Sequence, residues 1–166
     1  MASRTRRCLA ALAVTAAVFG PLVIAPNAVA AKNRFGVVIE HGDETSVVDC
    51  VKIGADKIRA IDLLTRTGFS VYTTAHPEFG RSICWVDGEG YHPECFGPNL
   101  DDPGWGVWLQ KKGQDEPKAA TVGVSSIMVP ARSVLYLQFA PFESSPPFEQ
   151  EPPAEVKLRT ICNPDA

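Results

Sequence analysis

Cysteine is the residue type with the widest chemical repertoire in this chain of 166 residues, as a nucleophile, a zinc ligand or half of a disulfide. Five cysteines are present, and Cys8 lies in an apolar N-terminal run apart from the other four. Cys84 and Cys95 enclose a short apolar run, an Asp87-Gly88 pair typical of a hairpin turn, and an aromatic return. A bridge between these two cysteines would crosslink the hairpin, and we expect the rest of the domain to be organised around it.

The four remaining cysteines indicate disulfides rather than a metal site or a thiol enzyme. No Cys-x-x-Cys pair occurs and the three histidines are scattered, which disfavours zinc. An even number of cysteines in an exported chain indicates two disulfides, for which three pairings are possible. The short loop between Cys84 and Cys95 makes that pairing the first choice, and it leaves Cys50 to pair with Cys162.

Motifs for other chemistry are weak or missing in the sequence. The stretch Gly123-Val124-Ser125-Ser126-Ile127 lacks the second glycine of a nucleophile elbow. No phosphate-binding loop or dinucleotide fingerprint occurs, so no cofactor is expected. A Ser-His-Asp triad could be assembled only from scattered residues. We therefore expect that the protein is not an enzyme.

An acidic group near the predicted hairpin could line a calcium site, and its members are Asp87, Glu89, Glu94, Asp101 and Asp102. Their spacing matches no EF-hand loop. A solvated acidic surface is the better interpretation, and no metal is expected.

Aromatic residues are the more suggestive set, because Trp85, Tyr91, Phe96, Trp105 and Trp108 fall within 24 residues. Trp105 and Trp108 have opposite parity, so a regular strand would place them on opposite faces. We expect Tyr91, Phe96 and Trp105 to form an exposed binding surface and Trp108 to lie in the core. The alternative is that all five rings belong to the core or cover the disulfide.

The N-terminus predicts export. Arg4, Arg6 and Arg7 precede an apolar run, and Ala28-Val29-Ala30 supplies small residues for a signal peptidase, so residues 1–30 are expected to be cleaved. A membrane anchor is disfavoured because the run is shorter than about 20 residues and is interrupted by Gly20-Pro21. Cleavage removes three arginines and no acid, which changes the formal net charge from −3 to −6. A secreted acidic protein is not expected to bind nucleic acid or anionic membranes.

The pattern of the mature chain predicts one α+β domain over residues 31–140, with the order β-β-α-β-β-β-β and a mixed sheet. The helix is expected over residues 56–68, with Asp56 as its N-cap and Gly68 at its end. Strands are expected at residues 35–40, 45–53, 69–74, 82–86, 105–110 and 134–139. Residues 141–166 form a Pro-rich C-terminal tail that Cys162 would tether.

A series of short motifs then resembles a known family. In chain order they are residues 39–43 (Ile-Glu-His-Gly-Asp), Cys50, residues 62–68 (Asp-Leu-Leu-Thr-Arg-Thr-Gly), residues 83–88 (Ile-Cys-Trp-Val-Asp-Gly), Cys95-Phe96, the tryptophan strand 105–108, and residues 123–126 (Gly-Val-Ser-Ser). Over residues 35–140 the chain resembles the small secreted actinobacterial proteins related to the transcobalamin-like C-terminal domain family. It departs from that pattern at residues 129–133, where a Gly-Asp or Gly-Gly turn is usual.

The resemblance implies a compact β-grasp-like domain, with a mixed sheet of about five to six strands packed on one helix. The family mostly has no assigned function. A related domain helps to enclose cobalamin in the animal carriers, but this chain lacks their helical partner domain and matches no ligand-contact motif.

The leading functional hypothesis is a secreted, non-catalytic binding or envelope-interaction module for a small molecule, a glycan or an extracellular protein. The alternative is a secreted protease inhibitor that presents loop 75–80 or loop 97–104 from a disulfide-braced scaffold. A hydrolase is a third possibility and would need a histidine beside a serine or aspartate in one cleft.

Overall fold

The structure is a computed structural model that describes residues 33–78, 80–95, 97–99, 102–141 and 150–163. The predicted signal peptide, Phe96 and part of the Pro-rich tail lie outside these residues. No helix within the described ranges is long and apolar enough to span a membrane.

The described residues contain ten strands and two short helices. In chain order they are β1 (Arg34–Glu40), β2 (Ser46–Lys52), β3 (Lys57–Arg59), α1 (Ala60–Leu64), β4 (Val71–His76), β5 (Gly80–Val86), β6 (Glu89–Gly90), β7 (Gly104–Gln110), β8 (Lys118–Ala119), β9 (Met128–Pro130), β10 (Val134–Ala140) and α2 (Leu158–Cys162).

The main sheet has five strands in the order β2-β1-β10-β7-β8. Strands β1 and β10, the first and last of the sheet in the chain, are neighbours and run parallel, with Val37 opposite Leu135. The other neighbouring pairs are antiparallel. The sheet is therefore mixed and the fold is α+β, as the residue pattern predicted, and its parallel central pair gives the β-grasp-like arrangement that the resemblance implied. Two smaller sheets, β3-β9 and β4-β5-β6, accompany it.

Both faces of the main sheet are covered. Because side chains alternate along a strand, odd-numbered residues of β1, β7 and β10 face one side and even-numbered residues face the other. The odd side, here called the front face, joins a core cluster with α1 and the smaller sheets, and it includes Val37, Trp105 and Leu137. The even side, the back face, joins a second cluster that includes Trp108 and Tyr136.

The predicted helix over residues 56–68 is shorter than expected. Its first turn is replaced by β3, which pairs with β9 so that Ile58 lies opposite Val129. The N-cap is Arg59, in an extended conformation, and not Asp56, because the backbone around residue 56 is already committed to this pairing. The helix ends at Thr65 with right-handed backbone (φ −66°), so Gly68 does not terminate it.

The C-terminal segment, residues 150–163, covers the back face. The disulfide between Cys50 and Cys162 joins α2 to β2, as the sequence predicted. Gly36 permits α2 to approach closely, since a Cβ at that position would lie 2.8 Å from Ile161 Cδ1. The Tyr136 hydroxyl accepts a hydrogen bond from the Val156 amide at 3.0 Å, which fixes the segment to the sheet.

The predicted hairpin is present at β5 and β6. Asp87 and Gly88 both have positive φ, 46° and 103°, as a two-residue hairpin turn of the primed type requires. The second predicted disulfide, between Cys84 and Cys95, crosslinks the hairpin to the segment that follows it.

Candidate functional site

A cleft of about 230 Å³ opens on the front side between β5, β7 and residues 120–124. We call it the aromatic cleft. Its wall is formed by Ile83, Cys95, Trp105 and Val107, and residues 120–124 form the opposite side. The wall therefore combines the disulfide-linked strand β5 with β7 of the main sheet, and residues 120–124 face it.

Trp105 is held firmly in the wall of this cleft. Its ring centroid lies 5.1 Å from that of Phe139, its cross-strand neighbour on β10. The His41 ring meets it edge-on, with centroids 6.0 Å apart. The indole Nε1–H donates to the backbone oxygen of Glu89 at 3.4 Å. These contacts fix the position of the Trp105 ring beside the cleft.

The strand behind Trp105 depends on a glycine. Gly90 has φ 108°, and a Cβ there would lie 2.7 Å from Trp105 Nε1 and 2.3 Å from the backbone oxygen of Cys84. Only a residue without a side chain fits between the disulfide-bonded strand and the indole. Next to it, the Glu89 carboxylate binds His41 Nδ1 at 2.7 Å, and this pair supports the edge of the ring.

The side of the cleft opposite Trp105 is fixed to β5 by the backbone of Arg81. The Val124 amide donates to the Arg81 oxygen at 2.8 Å, and the Arg81 amide donates to Ser125 Oγ at 3.0 Å. The Arg81 guanidinium is exposed at the rim and donates from Nη1 to Thr73 Oγ1 at 3.3 Å. An apolar wall beside a cationic rim suits a ligand that combines an apolar part with a hydrogen-bond acceptor or an anionic group.

Of the three residues that the sequence assigned to a binding surface, the structure describes Trp105 and Tyr91. Trp105 lines the cleft, but it is only 8% exposed, so the expectation of an exposed ring was wrong. The predicted face of Trp105 was correct, but α1 and the smaller sheets cover the front face, and the local sequence pattern does not reveal this cover. Trp108 is 7% exposed and lies in the core of the back face, as predicted.

Tyr91 is half-buried near Phe139 and does not line the cleft. Its ring centroid lies 6.2 Å from that of Phe139. Desolvation, and to a smaller extent the charge of Asp102, raise the pKa of the Tyr91 hydroxyl above its ordinary value. Phe96, the third predicted binding residue, lies outside the described residues.

Sequence reasoning missed Arg81 and residues 120–124. Arg81 lies one residue before the predicted strand 82–86. The observed strand β5 begins at Gly80, so the prediction left Arg81 outside the strand. Residues 120–122 carry no motif, and the Gly-Val-Ser-Ser motif that begins at residue 123 did not point to a cleft. Hydrogen bonds to β5 and β7 bring residues 120–124 to the cleft.

The described acidic residues near the hairpin, which exclude Asp101, are not grouped as a metal site. Glu89 is engaged by His41, and Asp102 accepts a hydrogen bond from the Asn99 amide at 2.9 Å. Within the described part of the chain, which omits Asp101, no three His, Cys, Asp or Glu side chains are grouped so that they could hold a metal ion.

No protein-family model matches the chain, and no curated protein matches it in sequence. Among solved structures, the fold is similar to a crystal structure from Ruminococcus gnavus that is described as a putative metal binding protein, with a TM-score of 0.48 and 16% identity. The match covers 68% of this chain and 100% of that one.

Proposed function

We propose that this chain is a secreted, non-catalytic binding module whose ligand, a small molecule or a glycan, enters the aromatic cleft. The observation that carries the proposal is the position of Trp105, which is fixed on several sides and lines the cleft beside Arg81. Rigid aromatic walls with a few polar groups are typical of recognition sites for rings and sugars.

Secretion is supported by two features. Residues 1–30 have the pattern of a signal peptide. The two disulfides, Cys50–Cys162 and Cys84–Cys95, are typical of proteins that mature in an oxidising compartment. An envelope or extracellular location would also expose the cleft to glycans.

The test compares two valines of similar exposure. Val122 lies at the cleft and is 44% exposed, whereas Val47 lies on β2 and is 43% exposed. Val122→Trp should fill the cleft and abolish binding to positive members of a saccharide and small-molecule array. Val47→Trp adds the same bulk outside the cleft and should leave binding unchanged.

Tryptophan fluorescence gives a second readout, because a ligand in the cleft should shift the emission of Trp105. Equal binding by the Val122→Trp and Val47→Trp proteins would place the ligand elsewhere. Absence of binding across the array would count against a small-ligand module.

The alternative, a protease inhibitor, is supported by one observation. His92, Pro93 and Glu94 are exposed and directly precede the disulfide-bonded Cys95, so a braced loop is presented to solvent. Loops 75–80 and 97–104, the originally predicted reactive loops, are described only in part. Tight inhibition of an extracellular protease that is lost in Glu94→Pro but retained in Val122→Trp would favour this alternative.

A further inference from the structure

A second cavity, of about 330 Å³, lies at the edge of the back face. It is bounded by the turn that follows β7 and by the C-terminal segment before α2. Its charged lining residues are Lys111, Lys112, Arg132, Lys157 and Glu155. We call it the basic pocket. None of its lining residues belongs to the aromatic cleft.

The charge of this pocket opposes that of the whole chain. Four cationic side chains and one carboxylate line it, whereas the chain carries a formal net charge of −3. Charges of one sign around a concave surface concentrate the electrostatic potential inside it and attract counter-ions. A gathering of cations in one cavity of an acidic protein is therefore a local feature that composition does not explain.

The scaffold holds the two sides of the basic pocket in fixed positions. The Gln110 side chain donates from Nε2 to the oxygens of Gln114 at 3.1 Å and Asp115 at 3.4 Å, which shapes the turn carrying Lys111. The same side chain accepts a hydrogen bond from the Tyr136 hydroxyl at 2.8 Å.

Tyr136 connects this turn to the opposite side of the pocket. Its hydroxyl also accepts from the amide of Val156, the residue before Lys157. The backbones that carry Lys111 and Lys157 are thus tied to one buried network, and a ligand between them would order little more than the lysine side chains.

We propose that the basic pocket binds a small ligand that carries two or more phosphate or carboxylate groups. Lysine ammonium groups are compact point charges that pair with either kind of oxyanion. A single exposed ion pair contributes little, so a monoanion would bind weakly and a multiply charged ligand is needed to engage both sides. This inference is independent of the aromatic cleft and of its ligand.

The experiment titrates the mature protein with pyrophosphate and with citrate at low ionic strength, by calorimetry and by NMR. At least one probe should bind, and binding should weaken strongly when the salt concentration is raised to about 0.3 M, because ions screen exposed charges. Binding of pyrophosphate alone would indicate a phosphate ligand, and binding of citrate alone a carboxylate ligand.

Charge reversal locates the site. Lys111→Glu and Lys157→Glu should each weaken binding of the positive probe by about tenfold or more, since each replaces an attraction by a repulsion inside the cavity. Arg66→Glu makes the same change of charge at an exposed position that does not line the pocket, and it should weaken binding less than about twofold.

Three results would overturn the proposal. The first is that neither probe binds at low ionic strength. The second is that Arg66→Glu weakens binding as much as Lys111→Glu does. The third is that both lysine variants bind like the wild type. Lys111→Gln and Lys157→Gln provide milder substitutions if a reversed charge impairs folding, and they should show the same order of effects.

Discussion

The two faces of the main sheet are covered in different ways. The front face is covered by short elements, α1 and the small sheets, and it keeps an open cleft beside Trp105. The back face is covered by the chain's C-terminal segment, which packs Ile161 against Trp108 and Tyr136. Each side of the sheet has one disulfide: Cys84–Cys95 lies on the front side and Cys50–Cys162 on the back side.

This difference shows that burial does not by itself distinguish a site from a core. Trp105 and Trp108 are 8% and 7% exposed, which is almost the same. Trp105 borders a cleft, whereas Trp108 is enclosed by α2 and the strands. The shape of the cover decides which indole borders a cavity.

The largest expected difference between the faces comes from the disulfides. Replacing Cys50 and Cys162 by alanine opens a crosslink between residues 112 apart and should lower the free energy of unfolding by about 5 kcal/mol. Replacing Cys84 and Cys95, which are 11 apart, should cost about 3 kcal/mol, because the shorter loop restricts the unfolded chain less. Urea denaturation of the two double variants measures both values; a larger loss for the front bridge would contradict the comparison.

The two tryptophans test whether both faces are equally packed. Trp105→Ala and Trp108→Ala should each lower the free energy of unfolding by about 3–5 kcal/mol, because each removes a buried aromatic ring. Trp105→Phe and Trp108→Phe serve as controls that keep an aromatic ring. An unchanged melting temperature for Trp105→Ala would show that the front cover is loose in solution.

The attachment of the C-terminal segment depends on one hydroxyl. Tyr136→Phe leaves the Val156 amide and the Gln110 side chain without that partner and should cost about 1–3 kcal/mol. Burial raises the pKa of Tyr136 above its ordinary value of 10.0, so the wild-type protein should lose stability as the pH rises beyond 10. The Tyr136→Phe protein should lack that contribution in a pH series of thermal unfolding. Equal alkaline profiles would argue against a buried hydroxyl.

The smallest effect is expected at Glu40, on the back face. Desolvation raises the pKa of its carboxyl above 4.5, although a hydrogen bond with the Ala154 backbone opposes the shift. A raised folded-state pKa gives stability that is complete below 4.5 and is lost as the pH rises through the folded value. Glu40→Gln should therefore be slightly more stable than the wild type at neutral pH and indistinguishable from it near pH 3. A stabilisation that persists unchanged at acid pH would exclude charge burial as its cause.

Much of the strand pattern could be predicted because it is local. The alternation of residues in β1, β7 and β10 and the Asp87-Gly88 turn are encoded within a few neighbouring residues. The start of α1 could not be predicted in this way. The apolar spacing of Ile58 fits a helix, but its pairing with Val129, 71 positions later, selects a strand.

In the candidate sites too, local sequence predicts single residues, whereas contacts between distant segments decide which residues come together. The sequence identified Trp105 from its type and neighbours, but Arg81 and residues 120–124 join it only through hydrogen bonds between separate segments. Lys111 and Lys157 are 46 positions apart and carry no shared motif, so the basic pocket was not predicted.

By itself, the sequence predicted export, two disulfides and the strands of a mixed sheet, because signal-peptide patterns, cysteine number and residue alternation are properties of short stretches or of simple counts. Only the tertiary structure decided how long the helix is, that both tryptophans are buried, and which side chains line the two cavities. These properties depend on which distant segments cover each face of the sheet. Contacts between distant segments stabilise that packing, so no short stretch of sequence reveals it.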